Sequence, residues 1–375
     1  MTILTFTGGG IAPALNPTLF GILTEAKKQG IRVLGGIRGW ASLLEGGEIV
    51  DLTDIDPTPL RNQGGTLLRS SRTNPFTREG AREQIEKTLK ARGIDAIIAI
   101  GGDDTLGAAH RVHKEWNFPI VGIPKTVDND LDGTYWTPGF PSAAQFTAQQ
   151  VHDIRTHGAY CRSRLFLIEV VGGHAGWVTA SAVLGGADAV LIPEVTIPLD
   201  TILETIKKRY IANGNFAVIA LSKEAHLGEE VQGSANPQPD EYGVVRTEGV
   251  AFDFVRVIRD RLGIDAQPIL QGNTTQSASP TAIDAATAQA LGQKAVTLIV
   301  QGELGAAAII KDATLAISHA PLADLVGRYR GLPENFYDAN TLLPTPAFME
   351  YMLPAKIAVS HDTAYENLVA LILKK

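Results

Sequence analysis

The sequence predicts an α/β protein made of two doubly wound domains with mainly parallel sheets. Short runs rich in Val, Ile and Leu recur along the chain. They are near-continuous rather than alternating in polarity, as befits strands covered on both faces by helices. Each run leads through glycine or polar punctuation into a helical pattern, the order of a parallel sheet wound with crossover helices. At 375 residues the chain also exceeds the size at which one hydrophobic core stops growing.

The first strand is "ILTFT" (3–7), which runs into the glycine turn "TGGGIAPALN" (7–16). "EGAREQIEKTLKARG" (79–93) has an apolar stripe at helical spacing and stops at Gly93. Next come the strand "IDAIIAI" (94–100) with its turn "IGGDDTLGAA" (100–109), and "FPIVGI" (118–123) leading into "VGIPKTVDND" (121–130). "RLFLIEVV" (164–171) precedes "VVGGHAGWVTA" (170–180), and "DAVLIP" (188–193) and "FAVIAL" (216–221) complete the clear strands. "HLGEEVQGSANPQPDEYG" (226–243) reads as a solvent-exposed insertion loop rather than a lid, and 329–354 is proline-rich without a clean period.

With 45% hydrophobic and 19% charged residues, the composition is that of a compact globular protein. The formal net charge of −7, without any block of Lys or Arg, argues against nucleic acid or an anionic membrane as partner. An anionic ligand must then be attracted by local groups. The single cysteine, Cys161, allows no disulfide framework or thiolate metal site and reads as a small buried hydrophobe. No apolar stretch reaches the roughly 18 residues of a membrane span. No signal-type segment precedes the first strand, so a soluble, cytoplasmic protein is expected.

Three glycine-rich turns follow strands, where ligands gather in an open parallel sheet. Glycine lets the backbone approach phosphate oxygens and present successive N–H groups. None of the three is GxxxxGK[ST] or GxGxxG; together they point to a phosphate-handling site. The turn at 100–109 is unusual in placing two carboxylates, Asp103 and Asp104, at a helix start, which normally favours free anions. In "PKTVDND", Asp128 suits a general base toward a hydroxyl, Asp130 an orienting or metal-holding role, and Lys125 a phosphate oxygen. The competing reading is an Asx-type turn carrying an exposed lysine.

The pairing of "GGDDT" with "GIPKTVDND" resembles the phosphofructokinase family. "TGGGIAPALN", "QGGTLLRSSR" (63–72), "LDGTYWTPGFPSA" (131–143) and "EVVGGHAGW" (169–177) extend the resemblance over roughly residues 3 to 310. It implies a phosphofructokinase-like fold with the active site in the cleft between two domains. These are expected over 1–139 with 276–304 (donor) and 140–275 with 305–375 (acceptor). It also implies Mg²⁺ served by Asp103, Asp128 as base beside Thr126 and Asp130, and Arg72 on donor phosphates. Gly9, Gly10, Gly102 and Thr105 lie in the matching donor turns. ATP-using members usually carry glycine at position 104. Aspartate there, with Lys125 in place of glycine, implies pyrophosphate as donor through an added repulsive group.

The acceptor side departs from the family pattern. Gly173 stands where an arginine is expected, and no Lys or Arg occurs from 262 to 293, where the family's sugar-phosphate ligands fall. Glutamine or alanine replaces one arginine there, Asn273 or a glycine the histidine, and Gln276 or a neighbour the second arginine. Arg164 (or Arg162) matches the arginine that reaches a neighbouring subunit, which implies a homo-oligomer, dimer or tetramer. Glu224 loosely matches a glutamate on a sugar hydroxyl. His174 is as well explained by packing as by ligand contact, and Trp136 and Trp177 are better explained by packing. The expected reaction is Mg²⁺-dependent phosphoryl transfer from pyrophosphate to a sugar hydroxyl, nominally of fructose 6-phosphate. The alternatives are an unphosphorylated sugar, cyclitol or other polyol as acceptor, ATP as donor, or a non-catalytic metabolite-binding relative.

Overall fold

A computed structural model describes residues 1–236, 246–359, 368, 371 and 372. Its strands begin with β1 (Thr2–Thr7), β2 (Arg32–Gly36), β3 (Ile49–Asp51), β4 (Ala96–Gly101) and β5 (Ile120–Pro124). Then come β6 (Leu165–Val170), β7 (Ala189–Leu191), β8 (Ala217–Ser222), β9 (Ser234–Asn236) and β10 (Arg246–Glu248). The last described are β11 (Ala266–Leu270), β12 (Ala306–Ile310), β13 (Ile317–Pro321), β14 (Tyr337–Asp338) and β15 (Leu343–Pro344). The chain divides into two compact units.

The first unit comprises 1–142 and 276–330 among the described residues. Its seven-stranded sheet has the order β13-β12-β5-β4-β1-β2-β3, parallel except at the edge strands β3 and β13. β1, β4 and β5 are buried along almost their whole length, which is why they read as continuous apolar runs. One face, with Leu4, Phe6, Leu34, Ile97 and Ala99, packs on helices α2 (Ala81–Arg92) and α3 (Asp103–Trp116). In α2 the buried residues Ala81, Ile85 and Leu89 recur every four positions, and Gly93 closes the helix in a left-handed conformation. The strand order reverses at β1, with β2 on one side and β4 on the other. Connections diverge at such a point and leave a crevice beyond the C-terminal strand ends. The turns 7–16 and 100–109 both begin there.

β12 and β13 join this sheet, with Ala307 of β12 opposite Gly122 of β5. Residues 305–330 therefore lie with the first unit, whereas the sequence reading grouped them with the second domain. The alanine run 306–308 has little strand propensity of its own, and its pairing is long-range. Helix α1 (Leu15–Lys28) lies close against helix Ala282–Gln301. A Cβ on Gly21 would overlap the Gln289 carbonyl, and one on Gly292 would overlap that of Thr18.

The second unit, 143–236, 246–275 and 331–359, holds the all-parallel sheet β11-β6-β8-β7. Leu165, Leu167, Ile219 and Leu221 share a core with Ile202 and Ile206 of helix Leu199–Ala212 and Phe254 and Ile258 of helix Val250–Leu262. Of the expected insertion at 226–243, β9 pairs antiparallel with β10, while residues 237–243 lie outside the described residues. The proline-rich 329–354 stretch contains β14, β15 and helix Pro346–Met352. Phe336 and Tyr351 from it pack on Trp177, and the Tyr337 hydroxyl donates to the Val190 carbonyl at 2.6 Å. Trp136 and Trp177 are core residues, as expected. Cys161, expected to be buried, is exposed on the short helical turn Tyr160–Arg162, where neighbouring side chains do not cover it. Among the described residues, no helix is long and apolar enough to cross a membrane.

Gly292→Ala is expected to lower stability by about 1–3 kcal/mol, because the added methyl must separate two helices whose backbones touch. A lower urea midpoint at an unchanged far-ultraviolet spectrum is the expected reading.

Candidate active site

β1, β4 and β5 point the same way, so the three turns that leave them emerge at one edge of the first sheet. In the first turn, the Gly8 N–H donates to Ile100 O and the Gly9 N–H to Ser71 O, each at 2.9 Å. The Ser70 hydroxyl donates to Gly9 O at 2.6 Å. Two of the amides expected to cradle phosphate are thus spent on holding the turn in shape. Gly9 adopts φ +79°, a conformation glycine takes without penalty. Thr105, expected on the donor, is buried with its side chain filling the space over Gly8 and Gly101.

In the second turn, Gly102 is the extended N-cap of α3, so Asp103 and Asp104 form the first helical positions. Carboxylates there interact favourably with the helix dipole, by roughly 0.3–1 kcal/mol each. Asp103 is exposed, and its Oδ1 accepts the Gly327 N–H at 2.8 Å.

The third turn brings the charges together. Lys125 is 2% exposed, and its Nζ donates to Gly10 O at 2.5 Å, joining the turn after β5 to the turn after β1. Burial pulls its ammonium down to about 8; Asp128 and Asp130 oppose the shift, and Arg72 adds to it. The reading of 121–130 as a turn with an exposed lysine is therefore overturned. The Thr126 hydroxyl accepts the Asp128 N–H at 3.0 Å, an ST-type turn that aims the two aspartates. Between them Asn129 is fully buried at φ +55°, and its Oδ1 accepts the Thr137 N–H at 3.1 Å. Burial, the Asp128 carboxylate and, more weakly, Asp103 push Asp130 up to about 7.

Asp103, Asp128 and Asp130 thus form an acidic set only partly offset by Lys125, Arg72 and Arg330. No group of three or more His, Cys, Asp or Glu residues among those described forms a metal cage. Mg²⁺ does not need one, since it keeps waters and takes one or two carboxylates with substrate phosphates. The donor set fits such a cation.

In the second unit, Gly173 and His174 follow β6, Glu224 follows β8 and Asn273 follows β11, so all lie at the C-terminal ends of parallel strands. His174 and Asn273 are exposed. Arg164 instead precedes β6, roughly 20 Å away along six residues of strand. Its guanidinium pairs with Asp265 at 2.6 Å and with Gln267 Oε1 at 3.0 Å. Gln276, assigned to the acceptor, belongs to the first unit and lies beside Gly10 of the donor turn. Sequence reasoning missed Gly327 and Arg330, which reach the second and third turns from 224 and 201 residues away respectively; nothing local marks them.

A phosphofructokinase family model matches residues 2–299. The chain belongs to the phosphofructokinase family. It is 34% identical to a pyrophosphate–fructose 6-phosphate 1-phosphotransferase of Dictyoglomus thermophilum, over 90% of this chain and 97% of that protein. It is 32% identical to ATP-dependent 6-phosphofructokinase 3 of Streptomyces coelicolor, over 90% and 98% respectively. The crystal structure of a pyrophosphate-dependent phosphofructokinase from Nitrosospira multiformis shares the fold. Its TM-score is 0.85 at 22% identity, with 96% of this chain and 93% of that one covered.

The raised pKa of Asp130 has a consequence for stability. Protonated Asp130 is the form the fold prefers, so its favourable contribution is full below pH 3.8 and is lost as pH rises through about 7. Asp130→Asn is therefore expected to stabilise the ligand-free protein at pH 8, by on the order of 2 kcal/mol, and to do little at pH 4. Melting temperatures of both forms across that range check it.

Proposed function

We propose that this chain is a Mg²⁺-dependent phosphotransferase that moves a phosphoryl group from pyrophosphate to a hydroxyl of fructose 6-phosphate. Asp128 accepts the hydroxyl proton as the new O–P bond forms and the P–O–P bond breaks, releasing orthophosphate. Lys125 and Arg72 offset the charge on the transferring group, and Asp103 is the residue that would hold Mg²⁺. Bound there, the ion would neutralise phosphate charge. The observation that carries the donor assignment is the seat of Lys125, whose buried ammonium bonds the donor turn at Gly10 O. Asp104 supports it, since a carboxylate in the first turn of α3 repels the extra phosphate of a nucleotide.

Acceptor binding is assigned to Gly173, His174, Glu224 and Asn273. The loops leaving the second sheet's C-terminal ends, 171–176, 192–195, 223–228 and 271–275, contain one Lys or Arg, Lys223. Lys223 is the cation available there for a sugar phosphate. A second reading, an unphosphorylated sugar or polyol, is favoured by the absence of Lys and Arg from 262 to 293. Arg164 stands at the opposite strand ends and is assigned to a neighbouring copy in a homodimer or homotetramer.

Phosphate release from pyrophosphate with Mg²⁺ is the direct test, comparing fructose 6-phosphate with neutral sugars and polyols. Turnover with fructose 6-phosphate, and a raised KM for it but not for pyrophosphate in Lys223→Met, is expected. Turnover only with a neutral acceptor establishes the second reading, and none with any acceptor sinks both.

The pH profile of kcat/KM for pyrophosphate, which reports the free enzyme, should be a narrow bell. It rises through about pH 7 as the Asp128–Asp130 pair gives up its proton and falls above about pH 8 as Lys125 loses its own. Lys125→Met should remove the alkaline limb.

A further inference from the structure

We propose that Arg330 is a positioning residue for the catalytic turn, its guanidinium clamping the backbone on either side of Asp130. The inference deepens the proposed function and rests on Asp128 and Asp130 acting in the reaction. Nη2 of Arg330 donates to Asn129 O at 2.8 Å and to Asn129 Oδ1 at 2.6 Å, and Nε donates to Asn129 O at 3.1 Å. Nη1 donates to Thr134 O at 2.5 Å and Tyr135 O at 3.2 Å. The main chain joins in, since the Arg330 N–H donates to Asp130 O at 2.9 Å and Tyr329 bridges Leu131.

The arrangement answers a specific mechanical need. Asp128 and Asp130 repel one another, and Asn129 between them is held at positive φ, a conformation uncommon outside glycine although asparagine tolerates it better than most. Asn129 Oδ1 is gripped from two directions, by Arg330 and by the Thr137 N–H. A guanidinium is suited to this because its donors are fixed in one plane and reach several carbonyls together, which an ammonium on a flexible stem does not. The same segment supports the neighbouring turn, where the Gly327 N–H donates to the Asp103 carboxylate. Residues 327–330 therefore tie the two charged turns, those after β4 and β5, to one segment.

The test uses the full chain with Arg330→Ala and Arg330→Lys. Deuterium exchange over 126–137 is the readout independent of turnover. It should quicken in Arg330→Ala while exchange in β1, β4 and α1 stays at the wild-type rate. Unchanged exchange over 126–137 overturns the proposal, as does quickening throughout the first unit, which marks a general structural role. In steady-state assays with pyrophosphate and Mg²⁺, kcat should fall about 100-fold in Arg330→Ala, the scale of loss when a catalytic group shifts by about 1 Å. KM for pyrophosphate should stay close to wild type, and millimolar methylguanidinium should restore part of kcat. Arg330→Lys should fall between, and it carries the same measurements if Arg330→Ala does not fold. A folded variant with wild-type kcat overturns the proposal. A wild-type protein inert with pyrophosphate sinks the reaction instead, and the exchange data still decide the clamp.

Discussion

The buried ammonium of Lys125 is the charge around which the turns leaving β1 and β5 of the first unit are arranged. A lysine that is 2% exposed is unfavourable unless its charge is answered, and the answers here define the site. Gly10 O accepts a hydrogen bond from it, Asp128 and Asp130 supply opposing charge, and burial still draws it down to about 8. Because the ammonium bonds the first turn from the third, the two cannot move independently. The turn after β4 is joined to them from the other direction, through Gly327 on Asp103 and Arg330 on Asn129.

This arrangement changes how the glycine turns are understood. The N–H groups of Gly8 and Gly9 serve the fold, as does the Thr105 side chain packed over Gly8 and Gly101. The positive charge beside these turns is carried by side chains, Lys125 and Arg72, in a protein whose net charge is −7. Burial first, and then the neighbouring Asp128 carboxylate, pushes Asp130 up to about 7, so the second carboxylate of this turn is held at a cost. Stability given up at such a site is a common companion of activity.

The second unit presents its candidate residues differently. Those after β6, β8 and β11 share one edge of the parallel sheet, and only Lys223 brings a full positive charge there. Arg164, at the other end of β6, is held by Asp265 and Gln267. The separation follows from strand direction alone, since residues that precede and follow a parallel strand lie at opposite edges. At that edge the partners of Arg164 are Asp265 and Gln267 of the same chain.

The sequence alone determined the α/β class, the strands β1, β4, β5, β6, β7 and β8, helix α2 with its Gly93 stop, and the turns that bear the carboxylates. All of these depend on local signals: continuous apolar runs, a stripe at helical spacing, and glycine where the chain must turn. The family was legible for the same reason, because its motifs are short and contiguous. Tertiary structure decided what depends on distant pairing. The alanine strand β12 joins β5, Gln276 falls beside Gly10, and Cys161 lies outside the core. Lys125 is buried rather than exposed, and Arg330 grips a turn 201 residues earlier. A residue's burial and its hydrogen-bond partners are set by what packs over it, and no local pattern encodes that.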